Sequence, residues 1–257
     1  MSDIAWQAIF DSYDIHNHDF NIDPFFIMSK EIKDATSHFK ETKHTEPRIL
    51  CKHDTRESRP KLFSDNNIFI LPVKNGKYAL IKGEGYIDIP PIPDDTETYI
   101  SNLDFHLDTA FVGNSEMQHL DYAYATSLIR SVMDDDSLVL TIRGRKYTPE
   151  INFRVGEHEI EADNVMMNIH GSYEGREKAL HVIVMLEKER NLAKHKIYYP
   201  YHYLCSFISK PVFTLVLQPL SKDVYAIGLF QQENKETFGG FQLVRHHKFA
   251  IINRESI

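Results

Sequence analysis

Glu187 and Glu189, at the end of the run LHVIVMLEKE, are the side chains whose types and spacing are best suited to chemistry. A run that is apolar and then turns acidic reads as a buried strand delivering its last residues to an edge or cleft. Residues two apart on a strand share a face, so the two carboxylates point one way and Lys188 points the other. Side by side they repel each other unless a cation or solvent separates them. The pair is therefore either the solvated end of a strand running into a charged turn, or part of a metal site.

The elements that would position this strand follow from the flanking sequence. After Pro149 the stretches INFRV, HEIEAD and NVMMNIHG read as consecutive short strands, and EGREKA is the turn into the central run. Beyond it, the aromatic segment IYYPYHYLCSFI reads as a helix after Pro200, followed by the strands PVFTLVLQP and VYAIGLFQ and the alternating segment FGGFQLVRHHKFAII. Upstream, Ser115-x-x-Gln118 has the form of a capping box, and Met117, Leu120, Tyr124 and Leu128 continue one helix that Asp134-Asp135-Asp136 closes. Glu116 falls in the first turn, where the helix dipole favours an anion. SLVLTIRGRKYTP reads as a strand entering a basic turn.

Nearer the start, Ile32, Ala35 and Phe39 at helical spacing predict a short helix with Ser29 as its N-cap. IFILPV and KYALIKG flank Asn75-Gly76, a strong hairpin signal. The proline-rich IPPIPDDTET over 89–98 breaks regular structure and is the best boundary, dividing the chain into a smaller α+β module over 1–95 and a larger domain over 96–257. The HNHD tetrad at 16–19 has metal-ligand residue types but no partner cluster, and reads as a solvated loop or helix end.

The chain has 257 residues, 42% hydrophobic and 26% charged, enough for a sizeable core in one or two domains. No apolar run approaches the roughly 20 residues needed to cross a bilayer, and the first residues lack a signal-peptide layout, so a cytoplasmic protein that does not enter membranes is expected. Cys51 and Cys205 are too few for a disulfide framework or a cysteine-based zinc site. A formal charge of −8 argues against non-specific coating of nucleic acid, which needs a surplus of Lys and Arg. Basic residues nevertheless bunch at Arg48, Lys52, Arg56, Arg59 and Lys61, at Arg143, Arg145 and Lys146, and at Arg245 to Lys248, each bunch being a solvated face or a phosphate-binding patch.

SEMQHLDYAYATSLI, LTIRGRK, IHGSYEG, IVMLEKE and IYYPY, taken in this order, resemble a family of bacterial type II restriction endonucleases of the PD-(D/E)XK nuclease superfamily. Upstream, EPRILCKHDTRESRPKLFSDNNIFILPVKNGKYAL looks like the N-terminal module of those proteins, so the resemblance extends from about residue 29 to the end. It implies an α/β fold with a central mixed sheet of the restriction-endonuclease type flanked by helices, and cleavage of a specific sequence in double-stranded DNA with a divalent metal, Mg²⁺ or Mn²⁺. The family's aspartate position falls at His170, and its Glu-x-Lys positions fall at Glu187 and Glu189. His170 is 17 residues before Glu187, as suits adjacent strands joined by a turn.

The departures bear on the chemistry. Phosphodiester hydrolysis needs a metal to stabilise developing charge and a group that helps water lose a proton. Carboxylates suit Mg²⁺, whereas a histidine suits Mn²⁺ or later metals, acts as a base near neutral pH, or marks a site that has lost its metal. The resemblance makes Glu116 and Glu174 either additional metal ligands or groups that support the ligands from behind, a purely structural role being open for each, and gives Arg56, Arg59, Lys61, Arg143, Arg145, Lys146 and Lys196 as DNA contacts; Tyr198 and Tyr199 pack or touch phosphate. A register placing Val184 and Leu186 at the catalytic positions would leave nothing catalytic. The rival reading is a DNA-binding relative without hydrolytic activity, acting as a partner subunit or regulator. A homodimer is expected by analogy with enzymes that act on palindromes.

Overall fold

The computed structural model describes residues 3–186 and 190–253. Its first part comprises α1 (Asp3–Ser12), β1 (Phe25–Met28), α2 (Ser29–Thr36), α3 (Pro47–Leu50), α4 (Lys61–Asp65), β2 (Ile68–Lys74) and β3 (Lys77–Lys82). The strands form an antiparallel sheet in the order β1-β3-β2. Asn75-Gly76 makes the β2–β3 turn as its sequence predicts, with the left-handed φ of +75° falling on Gly76, where no side chain opposes it. Ser29 is the first residue of α2 rather than its cap. Met28 takes the cap position, and its N–H donates to the Glu31 carboxylate at 2.6 Å.

The two faces of this small sheet bury different partners, because strand side chains alternate. Ile68, Ile70 and Leu80 pack with Trp6, Ile9, Phe10 and Phe63 from the surrounding helices. Phe69, Leu71, Val73, Ala79 and Ile81 pack instead against Ile151, Phe153, Val155, Ile160 and Ala162, which belong to a hairpin of β7 (Ile151–Val155) and β8 (His158–Ala162) far along the chain.

The rest of the chain contributes β4 (Tyr86–Asp88), β5 (Glu97–Ile100), α5 (Glu116–Ala125), α6 (Leu128–Met133), β6 (Val139–Tyr147), β9 (Met166–Glu174), β10 (Ala179–Val184), β11 (Asn191–Ala193), α7 (His195–Cys205), β12 (Val212–Pro219), β13 (Val224–Gln232) and β14 (Phe241–Ile252). A seven-stranded mixed sheet runs β5-β14-β13-β12-β10-β9-β6, with β10 parallel to β12, β14 parallel to β5, and the other pairs antiparallel. The protein is thus a mixed α/β fold. Every residue of β10 is buried, as its unbroken apolar run predicts. Leu180, Val182 and Val184 enter the core beneath α5 and α6, while Ile183 and, just beyond the strand, Met185 pack on the other side with Ile197 of α7.

Three local expectations are corrected. The helix from Ser115 is two helices: Ser127 adopts φ +67°, and the Thr126 hydroxyl bonds back to the Tyr122 carbonyl at 2.9 Å, closing α5 before α6 begins. Arg143, Arg145 and Lys146 lie within β6 rather than in a turn, and the strand is kinked at Gly144 with φ +86°. The aromatic helix starts at His195 and carries Pro200 inside it, so no N–H from that residue reaches the Lys196 carbonyl. Tyr198 and Tyr199 pack in the core, their hydroxyls donating to the carbonyls of Lys235 at 2.6 Å and Pro72 at 2.8 Å. Cys51 and Cys205 are free thiols, both partly buried. Among the described residues no helix is long and apolar enough to cross a membrane.

Two buried histidines tie stability to pH. His53, against Trp6 and Phe63, is pushed down to about 4 by burial, and His181 to about 3 by burial and by His170 beside it. The unfolded chain protonates these rings near 6.5, so acid favours unfolding. Stability is complete above about pH 6.5 and falls as the pH drops toward 4. Urea midpoints measured across this window are expected to decline, and His53→Phe is expected to flatten the decline by about one proton's worth; equal slopes in both proteins would contradict this.

Candidate functional site

The ladder between β9 and β10 runs from Glu174/Ala179 to Gly171/Val182 and ends there. The next outward-facing backbone donor on β10, the Val184 N–H, would be unpaired where the strands part. The His170 side chain fills the gap: its Nδ1 accepts from that N–H at 3.1 Å. On its other ring nitrogen, Nε2 lies 3.3 Å from Oε2 of Glu116, the first residue of α5. Two sequence-predicted site residues, from different elements, are thus brought together where the sheet opens.

α5 comes this close because β9 has no side chain in its path. A Cβ on Gly171 would sit 2.9 Å from Leu120 Cδ2, tighter than such contacts allow. Ser115 then caps the helix by accepting from the Gln118 N–H at 3.2 Å, as the capping pattern predicts, although the Gln118 side chain bonds the Thr109 carbonyl instead of returning to the cap. Arg143 ties the same elements together. Its Nε donates to the His170 carbonyl at 3.0 Å, and its terminal nitrogens bond both carboxylate oxygens of Asp121 on α5. The Asp121 carboxylate beside it raises the Arg143 pKa further despite partial burial.

Lys196, in the first turn of α7, completes the electrostatic setting. Burial lowers the His170 pKa and Lys196 and Arg143 lower it further, outweighing the pull of Glu116 in the other direction, so the ring is neutral. Lys196 pairs with Asp54 at 2.8 Å. Burial of Asp54 raises its carboxyl pKa, but Lys196 and Lys52 outweigh that and hold it below the usual range.

Asp54 belongs to a loop of the N-terminal part that grips the chain around β11. The Asp54 carbonyl accepts from the Ala193 N–H at 2.9 Å, the Arg56 N–H donates to Asn191 Oδ1 at 2.6 Å, and Asn191 Nδ2 donates to both carboxylate oxygens of Glu57. Asn191 is almost wholly buried, and all four of these hydrogen bonds cross from one part of the chain to the other.

The remaining predicted residues are placed as follows. Glu174 does not join Glu116 and His170; it lies four residues along β9 from His170, roughly 13 Å away at strand rise, and pairs with Lys210. Glu187 and Glu189 lie outside the described residues. Arg56 is held by Glu84 at 3.3 Å and Asp88 at 2.9 Å, and Arg59 lies over the Tyr86 ring and bonds the Arg56 carbonyl. Lys61 pairs with Asp65 at 2.6 Å. Arg145 and Lys146 make no ion pair among the described residues, and Arg145 is exposed on β6, an outer strand of the large sheet. His16 and His18 of the HNHD tetrad pair singly with Asp11 and Asp23.

Among the described residues no three His, Cys, Asp or Glu side chains form a group suited to holding a metal ion. The arrangement offers one half-exposed carboxylate, Glu116, beside a neutral imidazole and two cations that are themselves partly paired. Sequence reasoning missed Asp54, Asp121, Asn191 and Gly171. Only Gly171 carried a local signal, a glycine inside a strand run, which marks close approach of another backbone or element.

Residues 3–80 match the family described as a domain of unknown function (DUF6996), and residues 81–250 match a second domain of unknown function (DUF6997). No curated protein and no solved structure matches the chain.

The grip on β11 makes a direct prediction. Asn191→Ala leaves the Arg56 N–H and the Glu57 carboxylate without their buried partner and is expected to lower stability by about 1–3 kcal/mol. Urea denaturation measures it, and an unchanged midpoint would show that the contact contributes nothing.

Proposed function

Since the chain belongs to the DUF6997 family, which carries no assigned chemistry, its own side chains must supply the reading, and we propose that it is a sequence-specific, divalent-metal-dependent endonuclease of duplex DNA, of the type II restriction class. The observation that carries this reading is the meeting of Glu116 and His170 where β9 and β10 part, on the strand whose sequence runs on to Glu187 and Glu189. The resemblance noted in the sequence gives catalytic positions to His170, Glu187 and Glu189 and leaves Glu116 as a further ligand or supporting group, and a central mixed sheet flanked by helices is the architecture it implies.

The donor set decides what a metal would find. Because His170 Nδ1 accepts the Val184 N–H, the proton of the neutral ring is on Nε2, and that nitrogen has no lone pair to offer. Glu116 is the one carboxylate in contact with His170 among the described residues, and Mg²⁺ would be held by Glu116 together with Glu187 and Glu189, an all-oxygen set suited to a hard cation. Bound there, the metal supplies charge stabilisation at the phosphate and an acidified water. Lys196, with about a third of its side chain exposed, and Arg143 supply positive potential beside the scissile phosphate. Of the DNA contacts the resemblance gives, Arg145 and Lys146 on β6, an outer strand of the large sheet, make no ion pair among the described residues and would meet DNA there, and a two-fold dimer is the assembly that a palindromic site would require.

A second reading has its own observation. A histidine stands where the resemblance places aspartate, and its ring nitrogen nearest Glu116 carries the proton, which favours a DNA-binding relative that does not cut. Incubation of the purified protein with a varied DNA substrate in Mg²⁺ and then Mn²⁺, with Glu187→Ala as control, separates the two. Discrete fragments that disappear in the variant are expected. Uncut DNA in both metals, with binding retained, would select the inactive reading.

A further inference from the structure

We propose that His170 is a neutral positioning residue for the Glu116 carboxylate rather than a metal ligand or a base. The inference rests on the reading above for what Glu116 does, but the state of the ring follows from backbone geometry alone. A peptide N–H can only donate, so the 3.1 Å contact from Val184 N fixes Nδ1 as an acceptor. The single proton of the ring is therefore on Nε2, which lies 3.3 Å from Glu116 Oε2. At that distance the N–H dipole attracts the carboxylate, and a small rotation of Glu116 brings it into a charge-assisted hydrogen bond of about 2.8 Å.

The ring has no freedom to exchange these roles. Turning Nδ1 away would leave the Val184 N–H buried and unpaired at the end of the ladder, which such groups avoid. The backbone of His170 is held as well, by Arg143 Nε on its carbonyl at 3.0 Å, and Arg143 is bonded in turn to Asp121 on the helix that carries Glu116. Ring, arginine and helix form one braced unit. Within it His170 has 15% of its side chain exposed and Glu116 has 45%, so the histidine is the support and the carboxylate is the group presented to solvent.

This assignment narrows the ligand chemistry. A site whose histidine keeps its proton offers oxygen only, and selects a hard cation such as Mg²⁺ over metals that seek imidazole nitrogen.

A two-bond ¹H–¹⁵N spectrum of the full chain at neutral pH tests the ring directly, with the His170 signals identified by their loss in His170→Gln. A protonated Nε2 and a bare Nδ1, both unchanged when Mg²⁺ is added, are expected. Protonation at Nδ1, a doubly protonated ring, or loss of the Nε2 proton on adding Mg²⁺ would overturn the proposal, whether or not the protein cuts DNA. Where the wild type cuts, His170→Ala is expected to lower kcat by roughly tenfold with KM unchanged, and His170→Gln, whose amide can still donate to Glu116, to recover most of that loss. A cutting wild type with unaltered kcat in His170→Ala would refute the positioning role.

Discussion

A strand ladder that stops must find other partners for the backbone groups beyond its end, and this protein meets that requirement with a side chain. Where β9 and β10 part, the Val184 N–H is taken by His170, and the imidazole thereby becomes a fixed strut between the sheet and the N-terminus of α5. The close approach of the helix over Gly171 and the bond from Arg143 to the His170 carbonyl hold that arrangement in place. An unpaired buried amide costs about 1–3 kcal/mol, comparable to a sizeable share of a domain's net stability. The geometry of the opening is therefore set by folding before any ligand arrives.

Charge is organised by the same economy. The chain carries a net −8, yet most of its candidate DNA-contacting cations are engaged by nearby carboxylates: Arg56 by Glu84 and Asp88, Lys61 by Asp65, Arg143 by Asp121, Lys196 by Asp54. Exposed pairs of this kind contribute little to stability, so the Lys61–Asp65 pair is incidental to the fold. The Arg143 and Lys196 pairs differ because each joins separate elements around His170, where burial and two cations outweigh Glu116 and keep the imidazole uncharged.

Much of the fold was legible in the sequence because its signals are local. The Asn75-Gly76 turn, the Ser115 cap, the unbroken apolar run of β10 and the succession of short strands leading to it all announce themselves within a few residues, and the structure has each of them. The misread boundaries were cases where tertiary contacts overrode local preference. Pro200 sits inside α7, whose buried face of Ile197, Tyr198, Tyr199 and Tyr201 outweighs one lost bond, and Ser127 breaks a helix that its apolar spacing would continue. Of the site, the types and order of Glu116 and His170 could be picked out, but not that an amide of β10 would fix the ring. Asp54, Asp121 and Asn191 act only through partners far away in sequence, and nothing in their neighbours marks them.

The long reach of Asn191 has a consequence for how the protein is made. Arg56 and Asn191, which bond directly, stand 135 residues apart, and the second face of the small N-terminal sheet is covered by a hairpin beginning only at Ile151. As the chain leaves the ribosome the N-terminal segment cannot finish its own core, and its loop at Asp54–Glu57 waits for a partner until most of the protein has been synthesised. Contacts of such large sequence separation form late and slowly. The grip of that loop on β11 is thus completed late, after the closer-range contacts around His170 have had their chance to form.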